Sequence, residues 1–75
     1  MSGNCNIEKA FEPTSKWVAK FNRIVDNHVE ALLEFAREKC GKTNGELEEL
    51  RIRALKTLRD EIDKWVKILE FTKNH

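Results

Sequence analysis

The chain has 75 residues, enough for one small domain with a modest hydrophobic core. Its 14 Lys plus Arg oppose 13 Asp plus Glu, and the formal net charge of +1 gives the molecule no strong field to attract nucleic acid or an acidic membrane. Charged residues make up 36% of the chain, which has three Gly, one Pro and no Tyr. This composition, without alternating apolar runs bounded by turn residues, favours helices over strands.

The cysteines and the apolar runs bear on the cellular compartment. Cys5 and Cys40 lie in different segments, without the spacing of a metal or redox motif. The chain does not open on a basic stretch followed by an apolar one, and its apolar runs are too short to span a membrane. The sequence therefore predicts an intracellular, cytoplasmic protein with reduced thiols and no membrane partner. A disulfide between Cys5 and Cys40 is the alternative.

Residues 1–13 form an N-terminal extension in this interpretation. Ile7, Ala10 and Phe11 have the i, i+3, i+4 spacing of a short helical segment. One short helix packed over the end of the domain is one possibility for the extension, and disorder is the other.

The first long helix is predicted over about residues 15–40. Thr14 and Ser15 follow the single proline, and either side chain can cap the helix N-terminus. No Gly or Pro interrupts the sequence until Gly41, the usual residue type for a left-handed stop after a helix.

A second helix is predicted over about residues 44–72. Thr43-Asn44-Gly45-Glu46 fits the capping box, in which a hydroxyl and a carboxylate bond each other's backbone N–H groups. A connection of about four or five residues then turns residues 14–75 into an antiparallel helical hairpin. Folding near residue 43 pairs residues whose numbers add to about 86.

The stretch Ala36–Thr43, AREKCGKT, ends like a nucleotide-binding P-loop. A P-loop begins with Gly and follows a buried strand, whereas this stretch begins with Ala36 and continues a helical pattern. We interpret it as the corner between the two helices, and the sequence predicts no cofactor.

Each predicted helix carries an apolar arc that covers about half of its circumference. The arc of the first helix contains Trp17, Val18, Phe21, Ile24, Val25, His28, Val29, Leu32, Phe35 and Ala36, with Leu33 and Cys40 at its edge. The arc of the second contains Leu47, Leu50, Ala54, Leu55, Leu58, Ile62, Trp65, Val66, Ile68 and Leu69. A lone hairpin covers only the facing strips of its helices, so we expect a second copy or another helical protein to cover the rest. The expected homodimer is a four-helix bundle with coiled-coil packing.

The largest apolar side chains near the open end of the hairpin are the predicted partner-binding residues. They are Trp17, Phe21, Trp65, Ile68 and Leu69. The sequence thus predicts a helical protein–protein interaction or oligomerisation module: an adaptor, regulator or assembly subunit.

Two other functions are alternatives to this one. Lys16, Lys20 and Arg23 line one side of the first helix, and two such clusters in a dimer could straddle a nucleic-acid backbone. An enzyme or metal site around His28 is the more distant alternative. No metal-ligand or catalytic spacing accompanies His28, so we predict a hydrogen-bonded core histidine, no metal site, no catalytic residue and no enzyme.

Overall fold

The computed structural model describes residues 6–74, and this range is helical without strands. A 3₁₀ helix spans Ile7–Phe11, α1 spans Lys16–Cys40 and α2 spans Asn44–Lys73. The predicted all-α class with two long helices is confirmed, and each helix bound lies within one residue of its prediction. The alternative disulfide involves Cys5, which lies outside the described residues.

Ser15 connects the 3₁₀ helix to the start of α1. Its Oγ accepts a hydrogen bond from the Val18 backbone N–H at 3.1 Å, as the cap of a helix N-terminus does. The same hydroxyl donates to the Ala10 carbonyl at 2.6 Å. Of the two candidate caps, Ser15 is therefore the one used. It satisfies a backbone N–H at the start of α1 and holds the 3₁₀ helix against α1.

Gly41 ends α1 in the left-handed conformation predicted for it, with a φ of 64°. The next residue, Lys42, donates its backbone N–H to the Ala36 carbonyl at 3.2 Å and so satisfies one acceptor at the helix end. The connection between the helices comprises residues 41–43, which is shorter than the expected four or five.

The capping box at the start of α2 is confirmed. The Glu46 backbone N–H donates to Thr43 Oγ1 at 3.4 Å, and the Thr43 backbone N–H donates to Glu46 Oε1 at 3.0 Å. Because both groups are used by the helix corner itself, the stretch that resembles a P-loop is a helix stop followed by a capped helix start.

The chain divides into two compact units, one ending at Ala31 and the other beginning at Leu32. In the first unit Val29 is buried, and Val18 and Val25 are half-buried. The second unit is a helical hairpin made by the last turns of α1, the corner and α2. Its buried side chains are Leu33, Ala36 and Leu47, and its half-buried ones include Leu50, Ala54 and Leu58. Each predicted apolar arc is therefore buried along one stripe and exposed beside it.

Two residues placed on the buried side by the sequence analysis are exposed. His28 lies about 100° around α1 from the buried Val29, so it belongs to the uncovered part of the arc, and its prediction as a core histidine is wrong. Cys40, the last residue of α1, is a free and exposed thiol.

Candidate interaction surface

The first unit exposes an apolar stripe along α1. Trp17, Phe21 and Ile24 follow one another at spacings of four and three residues, which places them on one face of the helix. Their exposed fractions are 60%, 47% and 67%. These large side chains lie beside the stripe of buried and half-buried valines rather than within it.

Phe11 is the aromatic neighbour of Trp17 within this unit. The two ring centroids are 5.6 Å apart with an interplanar angle of 79°, an edge-to-face arrangement that aromatic quadrupoles favour. Phe11 and Trp17 nevertheless remain 61% and 60% exposed. The N-terminal segment therefore orients Trp17 without covering it.

The second unit exposes a longer apolar surface on α2. Every residue from Arg59 to Lys73 is exposed. Six large apolar side chains lie in this half of the helix: Ile62, Trp65, Val66, Ile68, Leu69 and Phe71. Scattered exposed apolar residues are normal on proteins, but such a concentration along one helix makes this half of α2 a candidate interaction surface.

All five predicted partner-binding residues are exposed. Trp17 and Phe21 lie in the first unit, and Trp65, Ile68 and Leu69 lie in the second, where they are 65%, 49% and 62% exposed. Helical periodicity separates Ile68 from Leu69 by about 100°, so these two neighbours flank Trp65 on opposite sides. Their role in binding a partner remains a prediction.

Ile52, which is 54% exposed on α2, is not among the residues predicted from the sequence. It lies outside the apolar arc that a straight helical wheel defines. The signal that identifies it is a seven-residue spacing, since Ile52, Arg59 and Val66 recur at that interval.

Ion pairs along α2 join neighbouring turns. Lys67 Nζ lies 2.9 Å from Asp63 Oδ2, and the hydrogen bond to this carboxylate raises the pKa of Lys67. Lys64 Nζ lies 2.7 Å from Glu61 Oε2. All four side chains are more than half exposed, and such pairs contribute little to folding.

The basic residues Lys16, Lys20 and Arg23 are exposed on the side of α1 away from its buried stripe. They occupy two turns of the helix, and acidic Glu30 follows on the same side. A role in binding nucleic acid remains a prediction for this short patch.

A shallow pocket of about 190 Å³ lies at the start of α2, lined by Lys42, Glu46, Glu49, Leu50 and Arg53. Sites for small molecules are usually larger and mostly apolar, whereas this lining is charged and includes the capping carboxylate of Glu46.

Within residues 6–74, no three His, Cys, Asp or Glu side chains are grouped so as to hold a metal ion. In the same range, neither helix is long and apolar enough to cross a membrane.

Comparisons with protein-family models, with curated protein sequences and with solved structures found no match to the chain.

Proposed function

We propose that this protein is a helical protein–protein interaction or oligomerisation module, acting as an adaptor, regulator or assembly subunit. Its partner is a second copy of the chain or another helical protein. The observation that carries the proposal is the second half of α2, where every residue is exposed and six are large and apolar.

The driving force is the removal of this apolar surface from water, which contributes about 25 cal/mol per Å² of buried area. Trp65 is the strongest anchor candidate because tryptophan is enriched among the residues that dominate binding energy, and 65% of it is exposed. Leu69, 62% exposed one turn later, extends the same contact.

For self-association we propose a four-helix bundle, because each hairpin brings two helices that have a covered stripe and an uncovered one. We also propose a cytoplasmic location. The exposed free thiol of Cys40 fits a reducing compartment, where such groups persist without forming disulfides.

The first test measures mass in solution by sedimentation over a wide range of protein concentration. The wild type is expected to form a dimer or larger species, and Trp65→Ala is expected to weaken this association. Lys64→Ala is the matched control because Lys64 is the adjacent residue and pairs with Glu61 on the surface.

The second test covers association with a different protein. A helical protein captured from the native cells should bind the purified wild-type chain and should lose affinity for a Trp17→Ala/Trp65→Ala variant of unchanged helicity. A chain that stays monomeric at every concentration, and binds no protein in a tryptophan-dependent way, would overturn the proposed function.

A further inference from the structure

Six positions on α2 follow a seven-residue repeat with alternating spacings of three and four. They are Ile52, Leu55, Arg59, Ile62, Val66 and Leu69, which we call the outer seam. The five apolar members are between 44% and 62% exposed, so the seam is distinct from the buried stripe of the same helix. This repeat is the pattern by which one helix packs along another in a coiled coil.

We infer that the outer seam binds the outer seam of a second copy, with the two α2 helices antiparallel. This inference rests on the proposed function and names its partner. The alignment that uses all six positions pairs residues whose numbers add to about 121. Ile52 then lies level with Leu69 of the second copy, Leu55 with Val66, and Arg59 with Ile62.

Charge decides the orientation. In the antiparallel pair, Asp63 at the edge of the seam lies level with Leu58 of the second copy, between the Lys56 and the Arg59 of that copy. Each Asp63 is therefore near two cations, and twofold symmetry repeats the arrangement on the other side of the pair. In a parallel pair in register, Arg59 instead faces the Arg59 of the second copy, which is repulsive.

The same charged groups can exchange partners when two copies meet. In the single chain, Arg59 Nη2 lies 3.3 Å from Asp60 Oδ1, and Lys67 Nζ lies 2.9 Å from Asp63 Oδ2. Because these side chains are more than half exposed, solvent screens each ion pair, and breaking one costs little free energy. New ion pairs between the two copies, at the rim of the apolar seam, can replace the pairs within each chain.

An independent pattern in the first unit also fits an antiparallel copy. Exposed positions of α1 recur at spacings of four, three, four and three: Trp17, Phe21, Ile24, His28 and Ala31. In the antiparallel register that uses Phe21, Ile24, His28 and Ala31, Phe21 lies level with the small Ala31 of the second copy, which leaves room for the aromatic ring.

Disulfide trapping tests the orientation. In a chain carrying Cys5→Ser and Cys40→Ser, Ile52→Cys and Leu69→Cys are made as separate variants and oxidised alone or as an equal mixture. A covalent dimer is expected only in the mixture. In the antiparallel pair the two residues 52 are about 25 Å apart along the helices, well beyond the reach of a disulfide.

Each other outcome overturns the inference in a recognisable way. Covalent dimers in the single-variant samples indicate a parallel pair. A wild type that sediments as a dimer, without trapping in the mixture, associates through another surface and leaves the proposed function standing. A monomeric wild type excludes the second copy, and the proposed function then depends on the capture experiment alone.

Charge reversal tests the contact made by Asp63. Asp63→Lys is expected to raise the dimer dissociation constant about tenfold or more, whereas the control Glu61→Lys, away from the seam, leaves it nearly unchanged. Mixing Asp63→Lys with a Lys56→Glu/Arg59→Glu chain is expected to restore affinity through a heterodimer. Equal effects of Asp63→Lys and Glu61→Lys, at unchanged helicity, would refute the contact.

Discussion

Glu46 shows how one side chain stabilises the start of α2. Its Oε1 accepts hydrogen bonds from the Thr43 backbone N–H at 3.0 Å and from Thr43 Oγ1 at 3.1 Å, and its Oε2 lies 3.7 Å from Lys42 Nζ. The backbone hydrogen bond from Thr43 is the main cause that lowers the pKa of Glu46 from its ordinary 4.5. The folded chain therefore favours the ionised carboxylate.

This cap makes stability depend on pH in the acid range. The unfolded chain holds a proton on Glu46 more readily, so stability rises with pH between the folded and the unfolded pKa. The contribution is fully present above about pH 4.5, the ordinary pKa, and is lost as pH falls through the lowered pKa of the folded state. We expect the free energy of unfolding of Glu46→Gln, measured by urea unfolding at several pH values, to fall less steeply with decreasing pH in the acid range than that of the wild type. Glu49→Gln is the control, and the same acid dependence in Glu46→Gln as in the wild type would contradict the prediction.

At the scale of the helices, two nearby glycines have opposite effects on stability. Gly41 stops α1 with a φ of 64°, whereas Gly45 is the second residue of α2. A Cβ built on either residue meets no atom within 4 Å, so backbone conformation alone decides the outcome of a substitution.

We therefore expect Gly41→Ala to lower the free energy of unfolding by about 1–2 kcal/mol, because alanine is strained in the left-handed region. Gly45→Ala should raise it by up to about 1 kcal/mol, since alanine loses less entropy on entering a helix. Urea unfolding of the two single variants measures both changes. A loss of stability in both variants would show that side-chain packing, rather than backbone conformation, governs the corner.

The bounds of α1 and α2 were predictable because local chemistry determines them. Gly41 needs no neighbour to adopt its turn, and the capping box lies within four consecutive residues. The choice between Val29 and His28 as the buried residue depends on which stripe of α1 is covered. A helical wheel treats both stripes alike, so the apolar arcs could not predict that choice. Nor could they predict that Ile52, which lies outside the arc, belongs to the exposed apolar surface of α2.

At the scale of the whole molecule, the near balance of charges matters as much as the apolar surface. A formal net charge of +1 produces little long-range repulsion between two copies. In the proposed pair of copies, association depends on short-range complementarity between the apolar positions of the outer seam and the charges beside them.

Substitutions at two leucines on α2 distinguish an effect on folding from an effect on association. Leu47 is 5% exposed and Leu69 is 62% exposed. Leu47→Ala leaves a cavity in the folded chain and is expected to cost about 2–5 kcal/mol of stability at every protein concentration. Leu69→Ala should preserve the stability of the dilute chain but weaken association. Since mass action raises the unfolding midpoint of a self-associating protein with concentration, that dependence should become shallower in Leu69→Ala. Thermal unfolding followed by circular dichroism over a concentration series measures both effects, and a Leu69→Ala variant with the wild-type dependence would show that this residue lies outside the interface.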